Sequence, residues 1–456
     1  MTPAGVAPEA LSEFLDAHAI ETVVCALPDI WGRLVGKRLT RRSFERTVRG
    51  EALNGSVYLF CVDMDMDPQP GYAVTDWARG FQDCRFLPDL STLRLVPWLE
   101  RTAFVLCDAA NETTGELLDI APRTLLKRQI ARAEAIGLRF KCATELEFFL
   151  FDDSFAEAWE KKYDGLRPVS RYRADYHVFQ SAMDEGFISA ARRQLLEAGV
   201  EVEFSKAEWG LGQQEINLRY ADTLEMADQH ALYKTFMKEL AGLAGKSLTF
   251  MAKPWFAEVG SSCHIHMSLW SADGTPAGWS DRHPAHLSPR FDHFLGGLTS
   301  ATADMMVCYA PTVNAYKRLQ PDSFAPTAIA VGLDNRTASY RLVGHGPSYR
   351  VENRVPGADA NPYLALAGMI AAGLVGIEAK MPAPAPYDGN AYLEESFDRV
   401  PASLAAATRL FRASGVAKNA FGEAAHTHLV NFFEREVAAY EASVGDWERL
   451  RYFERI

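Results

Sequence analysis

Cysteine is uncommon in this chain of 456 residues, and its spacing follows no pattern. Seven cysteines are scattered between Cys25 and Cys308, and none forms a CxxC sequence. An odd number without that spacing indicates neither a disulfide framework nor a cysteine zinc site. The sequence therefore predicts reduced and mostly buried thiols.

Positive charge is also in short supply, because 47 basic residues stand against 59 acidic ones and give a formal net charge of −12. A chain of this charge is repelled overall by a phosphate backbone or an anionic membrane. We therefore expect neither nucleic acid nor a membrane as a partner. The composition, with 48% hydrophobic and 23% charged residues, is typical of a globular protein, and the length allows two or three structural units.

Segments that export or anchor a chain are missing as well. The first nineteen residues carry Glu9, Glu13 and Asp16, where a signal peptide needs basic residues before an apolar core. The longest apolar stretch, at 363–377, is shorter than a bilayer requires and is rich in alanine and glycine, which suit close helix packing inside a protein. We expect a cytoplasmic protein.

The predicted secondary structure divides the chain into a small β-rich part and a larger remainder. A polar stretch at 111–116 separates the two, so the sequence predicts a boundary near residue 110. The predicted elements are a helix at 8–19, strands at 22–27 and 33–39, helices at 122–136, 223–243 and over the last fifty residues, and an extended proline-rich loop at 382–386.

Four predicted strands carry polar side chains on one face and apolar side chains on the other. Side chains alternate along a strand, so Glu145 and Glu147 project from the same face. The other polar faces contain Glu215, Asn217 and Arg219; His264, His266 and Ser268; and Arg350, Glu352 and Arg354. Any one such face could simply be solvated. Water-facing strands favour lysine and threonine, whereas these four faces carry carboxylates, histidines and arginines with little lysine. The joint pattern therefore favours a shared site.

The acidic residues of these segments form an oxygen-rich set with one imidazole. Its members are Glu145, Glu147, Glu208, Glu215, Glu352 and His264. Such donors suit magnesium or manganese better than zinc, and they could hold two ions. Five arginines, which prefer carboxylate and phosphate oxygens, accompany them: Arg318, Arg336, Arg341, Arg350 and Arg354. Hard cations beside guanidinium groups indicate phosphoryl transfer, and the absence of a P-loop excludes an ordinary P-loop kinase.

At these residues the sequence resembles the glutamine synthetase family, from about residue 22 to the C-terminal helices. The segments that carry the resemblance are TELEFF at 144–149, GQQE at 212–215, FMAKP at 250–254, GSSCHIHMSL at 260–269, AYKRL at 315–319, NR at 335–336 and ANPYL at 360–364. The resemblance implies an α+β fold with a β-grasp N-terminal domain, residues 1–108, and a glutamine synthetase-type catalytic domain, residues 109–456. In that catalytic domain, antiparallel strands flanked by helices form a funnel between ATP and glutamate.

The resemblance also implies a homododecamer of two hexameric rings and a role for each candidate residue. One metal, Mg²⁺ or Mn²⁺, would be held by Glu147, Glu208 and Glu215, and the other by Glu145, His264 and Glu352. Glutamate would be bound by Gly260, Arg318, Arg336 and Arg354, and ATP would face Glu203, His266, Ser268, Arg336 and Arg341. Each active site would be completed by the N-terminal domain of a neighbouring subunit. The γ-phosphoryl group of ATP would pass to the side-chain carboxylate of glutamate, and an amine would then attack the acyl phosphate.

Three departures from the family pattern fall around the acceptor. Asn54 stands where ammonia-using members carry an aspartate that helps bind ammonium, and Phe324 stands where they carry the glutamate that closes over the site. Val259 replaces the family's asparagine before the glycine of the glutamate loop. Ammonium needs acidic neighbours whereas a carbon-bearing amine gains from apolar ones. With Glu208 and Arg336, we therefore count Asn54 and Phe324 among the catalytic residues and expect the acceptor to be ethanolamine, another monoamine or a polyamine.

Other functions remain open at this point. A conventional glutamine synthetase would use ammonia as well as it uses any organic amine. A catalytically silent homologue would have no need to retain all six metal ligands, which this chain does. A ligase for a different acid donor is also compatible with the change at Val259.

Overall fold

The computed structural model describes residues 5–456, whose strands form two sheets. The N-terminal sheet contains β1 (Thr22–Pro28), β2 (Leu34–Thr40), β3 (Asn54–Ser56), β4 (Asp83–Pro88), β5 (Arg94–Leu95) and β6 (Thr102–Asn111). The second sheet contains β7 (Leu138–Phe151), β8 (Val202–Ala207), β9 (Gln213–Leu218), β10 (Ala221–Asp222), β11 (Ser247–Thr249), β12 (Cys263–Ser271), β13 (Val331–Leu333), β14 (Tyr340–Val343) and β15 (Arg350–Asn353).

Helices flank the strands and fill the C-terminal part of the chain. They are α1 (Leu11–Ala17), α2 (Arg41–Val48), α3 (Pro122–Ala135), α4 (Phe155–Glu160), α5 (Val178–Ala182), α6 (Glu185–Glu197), α7 (Thr223–Leu243), α8 (Pro289–Ser300), α9 (Met306–Tyr309), α10 (Pro362–Ala379), α11 (Leu404–Ala413), α12 (Gly415–Phe421), α13 (Glu423–Glu441) and α14 (Asp446–Tyr452). The predicted helices at 122–136 and 223–243 are confirmed. Each ends before a glycine with a positive φ, Gly137 or Gly245.

The N-terminal sheet has the strand order β2-β1-β6-β4-β3, with β5 paired to β6. β1 runs antiparallel to β2 and parallel to β6. The turn between β1 and β2 is fixed by Asp29, whose carboxylate accepts hydrogen bonds of 2.8 Å from the backbone and from the side chain of Arg33. The two strands that the sequence predicts at 22–27 and 33–39 are this hairpin.

The second sheet is built around the fourteen-residue strand β7. Its order is β13-β14-β15-β12-β7-β9-β8, and β10 and β11 also pair with β7. The register places His264 opposite Glu145, Glu215 opposite Glu147 and His266 opposite Glu352. Antiparallel pairing therefore brings together polar faces that are far apart in the sequence.

Helix α10 lies at the centre of the hydrophobic core, where it contacts α3, α7 and α8. It is long and apolar enough to cross a membrane by composition, but 78% of its apolar window is buried inside the protein. Glycines allow this packing: a Cβ on Gly376 would lie 2.1 Å from the carbonyl oxygen of His293, and one on Gly297 would lie 2.2 Å from that of Ala372. The expected close packing of this stretch is confirmed. All seven cysteines are also buried and free, as expected.

A buried ion network joins the N-terminal sheet to the helices. The guanidinium of Arg123, on α3, lies 2.7 Å from carboxylate oxygens of Asp89 and of Asp108 and 2.8 Å from one of Asp228 on α7. The hydroxyl of Tyr363, on α10, donates to Asp228 at 2.7 Å. We call these residues the Arg123 network.

Candidate active site

The polar faces of β7, β9, β12 and β15 meet in two acidic clusters. The first cluster contains Glu145, His264 and Glu352, and the second contains Glu147, Glu208 and Glu215. Within each cluster the candidate ligand atoms all lie within 4.8 Å of one another. Since Glu145 and Glu147 are two residues apart on β7, the clusters are roughly 7 Å apart along the strand.

These side chains are not simply solvated, although any one face alone could have been. Glu352 is completely buried, and Glu147, Glu215 and His264 are each less than a tenth exposed. Buried charges have to be paired or to coordinate a metal. The geometry thus supports a shared site on the strand faces.

The first cluster contains an imidazole nitrogen that is free to bind a cation. Nδ1 of His264 lies 3.2 Å and Nε2 of His266 lies 2.8 Å from the carboxylate of Glu145. Burial alone would raise the pKa of Glu145, but these two hydrogen bonds lower it. Burial and the charge of Arg354 lower the pKa of His264 to about 4, so its ring is neutral at pH 7. Its Nε2 is buried without a hydrogen-bond partner in residues 5–456.

The second cluster concentrates negative charge. Burial and the neighbouring charge of Glu208 raise the pKa of Glu147 to about 7, and the same two causes raise the pKa of Glu215. Lys206 is the cation that pairs with Glu208, and its ammonium group is shared with Asp175 at 3.1 Å. Three carboxylates facing one shared lysine are a site that a divalent cation would stabilise.

A cleft of about 470 Å³ opens beside the first cluster. Three of the residues expected to face ATP line it: Glu203, His266 and Ser268. Aromatic side chains that the sequence analysis missed, Phe204, Tyr220 and Trp270, line it too. Lys141, whose Nζ lies 4.9 Å from the centre of the Trp270 ring, was also missed, although it shares the polar face of β7 with Glu145.

The two remaining arginines of the expected ATP site are placed differently. Arg341 lies next to the first cluster, since it donates to Glu352 at 2.8 Å. Arg336 lies on an exposed turn after β13, where it forms no hydrogen bond or ion pair with the part of the chain that the structure describes. Arg336 lines neither the cleft beside the first cluster nor the pocket at the second cluster, and its role stays a prediction.

A second pocket, of about 60 Å³, lies at the other cluster. It is lined by Gly260, Arg318, Phe324, Glu147 and Glu208, among others. Burial and the charge of Arg354 lower the pKa of Arg318 to about 10. Within residues 5–456, its hydrogen-bond acceptors are the backbone carbonyls of Val355 and Arg354. Arg354 pairs with Glu352, and its Nε is buried without a partner in the described chain. Both guanidinium groups can therefore bind an anionic ligand.

Phe324 lies at the mouth of this pocket with 59% of its surface exposed. Its backbone is in the left-handed region, with a φ of 58°, and its carbonyl oxygen accepts from Arg354 at 3.2 Å. A bulky residue with positive φ is uncommon and strained, although Phe81, Tyr163 and Tyr176 also have positive φ.

Asn54 lies away from these pockets within its own chain, on β3 of the N-terminal sheet. Its side-chain amide donates to Glu112 at 2.7 Å. The position that the sequence analysis took to be without an anion therefore has a carboxylate beside it. The contact could not be predicted from the sequence, because Asn54 and Glu112 are 58 positions apart.

The catalytic-domain model of glutamine synthetase matches residues 119–452, so the chain belongs to the glutamine synthetase family and has its catalytic fold of mixed sheets and helices. Among its relatives, the γ-glutamylethanolamide synthetase of Streptomyces coelicolor is 45% identical, over 100% of this chain and 96% of that protein. The glutamate–isopropylamine ligase of a Pseudomonas species is 36% identical, over 97% of both chains. The solved structure of apo GmaS superposes with a TM-score of 0.85 at 28% identity and covers 97% of this chain and 99% of that one.

Proposed function

We propose that this protein is an ATP-dependent ligase that joins the γ-carboxylate of glutamate to an organic amine through a γ-glutamyl phosphate. One observation carries the proposal: two relatives that cover nearly the whole chain are named for ligation of glutamate to ethanolamine or isopropylamine. The aromatic ring of Phe324 supports it, because Phe324 and Glu208 line the second pocket, which we call the acceptor pocket, and an apolar surface there favours carbon-bearing amines.

Both acidic clusters fit divalent cations. Five carboxylates and one neutral imidazole are hard, oxygen-rich donors, which supports Mg²⁺ or Mn²⁺ as the ion. The unpartnered Nε2 of His264 and the like-charged group of Glu147, Glu208 and Glu215 are both stabilised by a cation. Bound ions would neutralise the charge that develops on the transferred phosphoryl group.

The protein's own residues would position the reactants. Arg318, which lines the pocket beside Gly260, and Arg354, whose Nε is buried without a partner in the described chain, would bind the carboxylates of glutamate. Glu203, His266 and Ser268 would face the nucleotide in the larger cleft. Arg336 and Arg341 would contact the phosphates, and Glu208 would accept the proton of the attacking amine.

We extend the proposal to domains and assembly. The boundary between a β-grasp domain and the catalytic domain is placed near residue 108, although β6 continues to Asn111. A dodecamer of two hexameric rings is supported by apolar surface on the terminal helix α14, where Leu450 is 81% and the nearby Phe453 is 85% exposed. Buried, free thiols support a cytoplasmic location.

Ammonia remains the second candidate acceptor because of one contact. The carboxylate of Glu112 lies 2.7 Å from the amide of Asn54, so an anion lies beside the position that the resemblance matches to the ammonium-binding aspartate. If a neighbouring subunit presents β3 to the acceptor pocket, Glu112 could take that role.

A phosphate-release assay with ATP, glutamate and Mg²⁺ separates these candidates. We expect ethanolamine or isopropylamine to support phosphate release with a higher kcat/KM than ammonium does. Mass spectrometry should find the corresponding γ-glutamyl amide. A higher kcat/KM with ammonium would favour a conventional glutamine synthetase, and no release with any amine would refute the proposal.

A further inference from the structure

Trp209 lines the acceptor pocket, and the sequence analysis did not single it out. It follows Glu208 directly in the turn between β8 and β9 and lines the same pocket as Phe324. The indole is 44% exposed although it adjoins a buried acidic cluster. An aromatic ring exposed at the mouth of a pocket is apolar surface that a ligand can cover.

Contacts outside the pocket hold this ring in place. The guanidinium of Arg173 lies over the indole, with its Cζ 4.8 Å from the ring centre. Three residues further along the same segment, the centre of the Tyr176 ring lies 4.1 Å from Nζ of Lys206. Lys206 precedes Trp209 on the same hairpin. Two parallel cation–π contacts therefore attach the segment at 173–176 to the hairpin that carries Trp209.

The charges around the pocket limit the acceptor further. The carboxylates that line it within the described chain are Glu147 and Glu208, and both belong to the second acidic cluster. Arg318 lines the pocket, and Arg173 covers Trp209. The exposed Asp322 lies on the loop of Phe324 but does not line the pocket. Among the residues that line the pocket, a second ammonium group on the acceptor would thus meet no carboxylate outside the second acidic cluster.

From this arrangement, and resting on the proposed function, we infer that Trp209 and Phe324 together form an aromatic surface for the carbon chain of the acceptor. The acceptor class is a primary monoamine with a short, uncharged carbon chain, and diamines are disfavoured. Arg173 is a positioning residue that orients Trp209.

The test compares n-propylamine with ammonium in the purified full-length enzyme. Each methylene that the rings cover contributes about fourfold to affinity, so Trp209→Ala should lower the ratio of kcat/KM for n-propylamine over ammonium about 10-fold. Any loss in kcat/KM for ammonium should be smaller than the loss for n-propylamine by that factor. Trp209→Phe should keep most of the ratio, and the wild type should prefer n-propylamine to 1,4-diaminobutane.

Trp159→Ala is the matched control, because Trp159 is an exposed tryptophan on α4 that does not line the pocket. Equal losses for both amines in Trp209→Ala would overturn the inference while the proposed ligase function stands. Absence of activity with every amine in the wild type would instead refute the proposed function. If Trp209→Ala fails to fold, Trp209→Gln and Trp209→Phe provide the test. Equal ratios of kcat/KM for n-propylamine over ammonium in these two variants would also overturn the inference.

Separate measurements of KM and kcat test the role of Arg173. Arg173→Ala should raise the KM for n-propylamine about threefold with kcat and the KM for ATP unchanged, since it removes only the contact that orients the indole. Arg173→Lys should restore the KM, because a lysine can also lie over the ring. A change in kcat alone, or no rescue by lysine, would contradict a positioning role.

Discussion

At the scale of single residues, the donor atoms of the two clusters determine the chemistry. Glu145 has a part of its side chain open to the cleft, whereas Glu352 is completely buried and neutralises Arg341 and Arg354. The two glutamates therefore differ in what their removal exposes. A glutamine at Glu352 keeps the shape but can accept a hydrogen bond from only one of the two arginines, because Arg341 and Arg354 donate to different carboxylate oxygens.

We predict that Glu145→Ala and Glu352→Gln abolish turnover, because each removes a ligand with no substitute nearby. Binding of Mn²⁺, followed by its electron paramagnetic resonance signal, should fall from two ions per chain to one in either variant. Glu160→Gln, an exposed glutamate on α4, is the control. Near-normal rates of Glu145→Ala in saturating Mg²⁺ would refute the metal assignment.

A second prediction at this scale concerns the acceptor. Phe324→Glu combined with Asn54→Asp adds carboxylates that stabilise ammonium and accept its proton, and it removes an aromatic surface. The ratio of kcat/KM for an organic amine over ammonium should fall about 10-fold, the equivalent of one or two methylene groups. An unchanged ratio would show that these two positions do not select the acceptor.

At the scale of elements, the Arg123 network links the N-terminal sheet to α3 and α7. Removing one partner of a buried ion group leaves the others uncompensated, so Arg123→Met should lower the free energy of unfolding by about 3–5 kcal/mol. Arg128→Met is the matched control on the same helix, since its partner Asp119 is exposed and such pairs contribute about 0–1 kcal/mol. Urea unfolding measures both, and equal effects of the two variants would contradict the prediction.

The contact between α13 and the segment that follows β3 should be sensitive to acid. His428 is buried, its Nε2 lies 2.8 Å from the carbonyl oxygen of Phe60, and burial lowers its pKa from 6.5 to about 4. The unfolded chain binds this proton below pH 6.5 and the folded chain only below pH 4. As the pH is lowered from 6.5 to 4, the free energy of unfolding should therefore decrease, and His428 should account for about 3 kcal/mol of that decrease.

His428→Gln tests this dependence, because a glutamine amide can still donate to Phe60 without taking up a proton. Denaturant unfolding at several pH values should give a slope smaller by about one proton per chain. A slope in His428→Gln equal to that of the wild type would rule out this residue as the source.

How much of this arrangement was predictable depends on whether the relevant residues share an element. Alternation along β7 was enough to pair Glu145 with Glu147, and the same rule selected His264 and Glu352, since a strand fixes which side chains share a face. The contacts of Trp209 with Arg173 and of Asn54 with Glu112 join different segments, so only tertiary structure brings them together. Arg336 was selected by its type and position, but the exposure of its turn is a property of the packing.

At the scale of the whole molecule, a ring assembly predicts a large particle. Twelve chains of 50.6 kDa amount to about 607 kDa, which light scattering after gel filtration would measure. Leu450→Asp with Phe453→Asp should yield a smaller particle, because the charges oppose burial of α14 against another copy. A fully active wild-type monomer would refute the shared active site.

The burial of α10 also sets an order in time on the ribosome. This helix begins at Pro362, so nearly four-fifths of the chain is synthesised before the segment that contacts α3, α7 and α8 exists. At 5–20 residues per second, the chain between the end of α3 and the start of α10 takes about 11–45 s to synthesise, and the apolar face of α3 stays uncovered for that time. Synthesis speed and chaperone supply during that interval should therefore govern the yield of folded protein.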